Sequence, residues 1–450
     1  EWVQTLLASL FQGTQPTPKP DGVALPVTDL DPTAPAVLAD PYAALRAVRA
    51  SLGNVVWSRS HGAVWVLDAA TARQVLGDPA RFVQQPSTAR FRGIITLDGD
   101  RHRVVREAVQ AGLDAVATPE RVARLVDLEA GEALRRIEGL EHFDAVSAYG
   151  DPVPGEVFWE ILGVPDAQRP SFDALARTMM RHFGQPADTG RGDAAAFTDA
   201  SLGLAKRLGL LLGEAVLRSV LFGRGDPDRN PFAGTLIGEL ARRIDLPLNE
   251  EPERTVTPQE GLATLVQLVL AGFMSMQFLM GTATRNLLRP DPRAEAHGLV
   301  PWRALARLRR EGSDDFGPAL ATALTEARRV DPPVTIVQRW VAAGGAPLGG
   351  TQLPADTAVF VVVAAAHRDP VYGPAEDAFH WDRVQSANLA LGYGLHECVG
   401  RMLQEWVVPR ALTRLMEAMP ELRLRETGAV PAWLDNLYFR CLLALPVYRR

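Results

Sequence analysis

Cysteine is almost missing from this chain: 450 residues carry only Cys398 and Cys441. Two thiols cannot build a disulfide framework, and they suit a reducing, cytoplasmic setting. No apolar run approaches the roughly 20 residues needed to span a bilayer, so no transmembrane segment is expected. Neither sign of charge prevails: 47 basic against 53 acidic residues give a net charge of −6, which argues against a nucleic-acid binder. The basic residues are nearly all arginine, a mark of base composition and not of function. Low-complexity linkers and internal repeats are also absent. A length-based prior of about three domains therefore gives way to one large domain over 39–450, preceded by a proline-rich lead-in over 1–38. No dinucleotide or FMN fingerprint occurs, because Gly392-Tyr393-Gly394 does not open a βαβ unit.

What is present is a sizeable core. Hydrophobic residues make up 47% of the chain and charged residues 22%, ordinary values for a globular protein. The pattern predicts a helix from Pro41 and short paired strands at Val55–Trp57 and Val64–Leu67. A long helical body follows from about 69 to 325, and strands return at Thr335–Ala342 and Val359–Ala364. The fold class expected is mostly α with a minor β region. The N-terminal stretch from Trp2 to Phe11 is amphipathic, lacks the basic flank of a signal peptide and is expected to pack on the body.

The most informative segment is Leu391-Gly392-Tyr393-Gly394-Leu395-His396-Glu397-Cys398-Val399-Gly400, which runs into an apolar helical stretch from Met402. A cysteine at the mouth of a helix meets backbone N–H groups and the positive dipole end, both of which stabilise a thiolate. Such a thiolate can serve as an axial ligand to haem iron. Gly392, Gly394 and Gly400 let the loop approach a flat macrocycle where a Cβ would collide. A zinc site does not fit, since His396 and Cys398 are too close to act separately and no second cluster completes a tetrahedron. The competing reading is a plain strand-to-helix turn with a buried cysteine. The segment resembles the haem-binding loop of cytochromes P450, F-x-x-G-x-[HR]-x-C-x-G, at Gly394, His396, Cys398 and Gly400; Leu391 stands where the family has phenylalanine.

Glu326 and Arg329 stand one turn apart on a helix ending before Asp331-Pro332-Pro333, and as an exposed pair they would contribute only a few tenths of a kcal/mol. Beside the cysteine loop the pair resembles the family's E-x-x-R, and Arg383, in Phe379-His380-Trp381-Asp382-Arg383, is placed to complete its network. The resemblance covers nearly the whole chain and implies a P450 fold, with haem b (iron protoporphyrin IX) held between a long distal helix and a proximal helix. It further implies Cys398 as the iron ligand and His102, Arg106, Arg339 and His396 as haem-propionate partners.

The distal helix is expected in the apolar run from Gly261 to Leu288. Family members carry [AG]-G-x-[DE]-T there; this chain reads Ala271-Gly272-Phe273-Met274-Ser275. Ala271 and Gly272 keep the space for a ligand and Ser275 keeps a hydroxyl, but Met274 replaces a proton-relaying carboxylate. Gln277, two residues on, lies on another face. Substrate walls are expected from Phe91, Ile94, Ile95, Phe273, Met274, Val334 and Val337, closed by Trp433–Tyr438, with a lid over 178–192. These features imply a haem-thiolate oxidoreductase acting on a hydrophobic small molecule. The first reading is a monooxygenase fed by a separate ferredoxin- or flavodoxin-type donor, for which a monomer suffices. Met274 motivates a second, a peroxygenase or hydroperoxide-rearranging enzyme. A non-catalytic haem sensor or carrier is the third.

Overall fold

A computed structural model describes residues 17–87, 92–183, 194–222, 229–245, 255–293, 299–373, 376–385, 388–425 and 431–449. The amphipathic N-terminal stretch, Phe91 and most of the expected lid, 184–192, lie outside the described residues. Met179 and Met180, at the lid's expected start, are buried in the helix Arg169–His182. The chain forms two compact units that interleave in sequence: one takes Val83–Val122 and Glu156–Met274, the other residues 17–82, Ala123–Gly155 and Ser275 onward.

The first unit is helical. Its helix Gly99–Val116 carries His102 and Arg106, and the helix Pro258–Leu268 starts at a capping box. In that box the Thr257 hydroxyl accepts from the Glu260 N–H while the Glu260 carboxylate accepts from the Thr257 N–H, and Pro258 fills the first helical position, where no donor is needed. Arg101 pairs with Glu260, fixing the Gly99–Val116 helix to this cap. An aromatic cluster packs within this unit: the rings of Phe158, Trp159 and Phe273 contact one another, and Phe172 packs on Trp159.

The second unit holds the β structure. Its main sheet begins with Val27–Thr28, parallel to Val55–Ser58, which pairs antiparallel with Ala63–Val66 in the register Val56 opposite Trp65. Next comes Ala358–Val362, parallel to Ala63–Val66, and then Ile336–Val341, antiparallel, with Arg339 opposite Val359. The strands predicted around 55–67 and 335–364 are therefore present. The last is shorter than predicted, because the chain turns into a short helix at Val363. Trp57, Val64, Val66, Val359, Val361, Leu76 and Phe82 pack into one core, which also receives Leu389 from the start of the cysteine loop.

One helical run, Pro258–Leu288, is long and apolar enough to cross a membrane, which corrects the expectation that no run comes near that length. Thr264, Gln267, Ser275 and Gln277 break the run of apolar letters, yet its most apolar 18-residue window still has a mean hydropathy of 1.8. With 67% of its most apolar window buried inside the protein, the run reads as a core helix.

Candidate active site

The cysteine loop is built by backbone geometry. Its Gly392 N–H donates to the Leu389 carbonyl at 2.9 Å and the Cys398 N–H to the Leu391 carbonyl at 2.8 Å, folding ten residues into a closed turn. Gly392 and Gly394 sit at φ 78° and 75°, where side chains are strained; a Cβ on Gly394 would stand 3.1 Å from the Leu76 carbonyl. After a 3₁₀ turn over Gly394–His396, the helix Arg401–Ala418 opens directly behind Gly400. Cys398 thus lies just ahead of a helix N-terminus, as an exposed thiol outside any disulfide. A single soft sulfur fits a metal that brings its other ligands with it, which is what haem does. No cluster of three or more metal-ligating side chains exists among the described residues to compete for it.

Beneath the loop lies a buried ion core. Glu326 and Arg329 are fully buried and joined by two 2.8 Å bonds, carboxylate to guanidinium. Arg383 approaches the same carboxylate at 3.1 Å, and the His380 N–H and the Gln385 amide donate to it. The remaining Arg329 donors reach the carbonyls of His367 (2.7 Å), Glu376 (2.5 Å) and Ala378 (3.1 Å). The sequence marked Glu326, Arg329 and Arg383. His367 and Gln385 were missed, because their partners lie tens of residues away and no local pattern announces them. Arg73 and Gly77 were missed for the same reason: the Arg73 guanidinium stacks over the Tyr393 ring, and Gly77 leaves room for that ring's edge.

Burial also sets the charge state of two histidines in this unit. It lowers His367 to about 3, with help from the neighbouring Arg329 charge, and lowers His61 to about 4. Both are neutral in the native protein and bind protons readily only when it unfolds. Their contribution is fully present above the unfolded value near 6.5, and it is lost as pH falls from there toward each native value. Stability should therefore fall by about 1.4 kcal/mol per pH unit for each group below about pH 6.5. Denaturant unfolding across that range checks this; a midpoint unchanged down to about pH 5 would contradict it.

On the distal run, the helix Pro258–Leu268 passes into a π turn over Val269–Phe273 and resumes at Met274. In the first unit's portion Ala271 is exposed and Gly272 half-buried; Ser275, which opens the second unit's portion, is half-buried. A Cβ on Gly272 would come within 2.6 Å of the Phe158 ring, so this glycine makes room for a packed phenylalanine. Phe273, expected on a substrate wall, is fully buried instead, 4.3 Å from the Trp159 ring centre. Met274 is buried as well. Gln277 donates to the Asp151 carbonyl at 3.1 Å and is thereby engaged away from the Ser275 position.

Ile94 and Ile95 sit in a turn tied to the Pro258–Leu268 helix. The Ile94 N–H donates to the Thr264 hydroxyl at 3.2 Å and the Ile95 N–H to the Gln267 side-chain amide oxygen at 2.7 Å. Val334 and Val337 are half-buried, and Val334 pairs with Phe439 of the C-terminal segment. Of the propionate candidates, His102 is fully buried and Arg106 half-buried, both in the first unit. Arg339 and His396 belong to the second unit with Cys398; Arg339 is buried on its strand and His396 is half-buried in the 3₁₀ turn.

The structure thus combines a mostly helical chain and a minor sheet with an exposed thiol on a glycine loop and a buried glutamate–arginine core. The chain is similar to bacterial cytochromes P450 over nearly its whole length. It is 28% identical to cytochrome P450 monooxygenase PikC of Streptomyces venezuelae, over 97% of this chain and 96% of that protein. It is also 28% identical to vitamin D3 dihydroxylase of Streptomyces griseolus, over 87% of this chain and 88% of that protein. Among solved structures, the bacillaene polyketide synthase cytochrome P450 PksS of Bacillus subtilis 168 superposes with a TM-score of 0.74 at 19% identity, covering 93% of this chain and 99% of that one. No family model matches the chain.

Proposed function

We propose that the chain is a monooxygenase that binds haem b through Cys398 and inserts oxygen into a hydrophobic small molecule. Electrons come from a separate ferredoxin- or flavodoxin-type protein, and the enzyme acts as a cytoplasmic monomer without nucleic acid. The exposed Cys398 thiol on its closed loop carries this reading, and the relatives named as a monooxygenase and a dihydroxylase support it.

The haem, when bound, supplies O–O bond cleavage, which a thiolate ligand favours by donating electron density. The chain's residues hold and shield it. His102, Arg106, Arg339 and His396 neutralise the propionates, whose burial would otherwise be unfavourable. Ala271 leaves the distal face open, while Ser275 offers a hydroxyl that holds a proton-donating water. Ile94, Ile95, Val334 and Val337 supply apolar walls for the substrate.

Met274 supports the second reading, a peroxide-driven enzyme, because no carboxylate stands at that position to relay protons. Turnover is compared with reductant, donor and dioxygen on one side and peroxide alone on the other. Product only from peroxide would overturn the monooxygenase reading. If dioxygen is the oxidant, Met274→Asp should raise the fraction of reductant recovered as product severalfold; unchanged or lower coupling would count against proton relay at this site.

A further inference from the structure

We infer that His367 is a positioning residue for the thiolate loop, fixing the sulfur's place by bridging the buried glutamate–arginine core to the loop's first residue. The inference rests on the reading of Cys398 as the iron ligand. It starts from two hydrogen bonds on one fully buried ring: Nε2 lies 2.9 Å from the Leu389 backbone nitrogen, and Nδ1 lies 3.0 Å from the Arg329 carbonyl oxygen.

The chemistry of the two partners fixes the tautomer. A backbone N–H only donates, so Nε2 must present its lone pair to Leu389. The neutral ring then carries its proton on Nδ1 and donates it to the Arg329 carbonyl. Burial keeps the ring neutral, with a value near 3. Arg329 answers with a bond from its guanidinium to the His367 carbonyl at 2.7 Å, so residue 367 is held to residue 329 at both ends. The ring edge also rests on Tyr372, with centroids 5.8 Å apart.

On its other side the bridge meets the root of the loop. The Leu389 side chain is sunk in the sheet core, and its carbonyl accepts the Gly392 N–H that starts the turn closed at Cys398. Hydrogen bonds thus join Arg329 to His367, His367 to Leu389 and Leu389 to Gly392, and the residue before Gly392, Leu391, accepts from the Cys398 N–H. Without the imidazole, the Leu389 N–H loses its buried acceptor, and that end of the loop keeps as anchors the Leu389 side chain and the bond from the Asn388 amide to the Thr325 carbonyl at 2.8 Å.

The experiment uses the full-length holoprotein with His367→Leu and His367→Gln. Glutamine presents an acceptor and a donor at nearly the spacing of the ring nitrogens; leucine presents neither. Two readouts that lowered stability alone does not move are followed well below the melting temperature: amide exchange across residues 389–398, and the form of the ferrous carbon monoxide adduct. H367L should exchange about tenfold faster in that segment and convert most of its adduct from the thiolate to the neutral-thiol form, while H367Q restores both. A lower melting temperature for H367L with wild-type exchange and a full thiolate adduct would overturn the inference. Should H367L fail to fold, His367→Asn, which reaches only one partner, is read by the same criteria. If the wild type itself shows no thiolate adduct, the proposed function fails, and the exchange comparison still decides whether His367 anchors the loop.

Discussion

Replacing Glu326 by alanine should destabilise the protein by about 3–5 kcal/mol, the range for removing one member of a buried ion pair. Arg329 and Arg383 would remain as two guanidinium groups beside a void, each deprived of its counter-charge. Glu326→Gln should recover part of the loss, since the amide oxygen still accepts, but the buried positive charges stay uncompensated. Arg329→Ala should be comparably severe, because it strands the carbonyls of His367, Glu376 and Ala378 as well as the carboxylate. The double replacement should destabilise by less than the sum of the single ones, as expected for groups in direct contact. Denaturant midpoints of the four variants test this. An alanine variant at position 326 within about 0.5 kcal/mol of wild type would show the pair to be incidental, since that is the spread of ordinary surface substitutions.

Cys398→Ser should have the other large effect, of opposite character. The thiol is exposed and serine keeps nearly its size, so the variant should unfold within about 0.5 kcal/mol of the wild type. An alcohol is a far poorer ligand to haem iron than a thiolate. Haem retention should therefore drop sharply, and oxidation of any substrate found for the wild type should fall to background. The two replacements separate two roles, one residue holding the fold beneath the loop and the other holding the metal above it. A serine variant that retained haem as tightly as the wild type and kept its turnover would remove the cysteine from the mechanism.

The parts of the site legible in the sequence are those written over short distances. Glu326 and Arg329 are three residues apart on one helix turn, and the cysteine loop announces itself through glycines at 392, 394 and 400. The strands at 55–58 and 336–341 could be read because their β-branched and aromatic residues are bounded by turns. What could not be read depends on contacts between distant residues. Phe273 closes a π turn within a largely apolar helical run, and the turn shifts the helix phase, so periodicity could not say which way the ring points. The need for glycine at 272 comes from Phe158, more than a hundred residues earlier. His367 lies 38 residues from one ring partner and 22 from the other. The division into two compact units leaves no compositional trace either, because the chain passes between them inside the strand Phe82–Val83, the helices Pro119–Arg136 and Pro152–Leu162, and the distal run, not at linkers.

The central claim is that the Cys398 sulfur, as a thiolate, holds haem iron. Its most direct test is the absorption spectrum of the haem-reconstituted, reduced protein under carbon monoxide. The account predicts the strongly red-shifted Soret band that a thiolate ligand produces, lost in Cys398→Ser. A band at the position given by a histidine or neutral-thiol ligand, in wild-type protein that is fully folded, would contradict it.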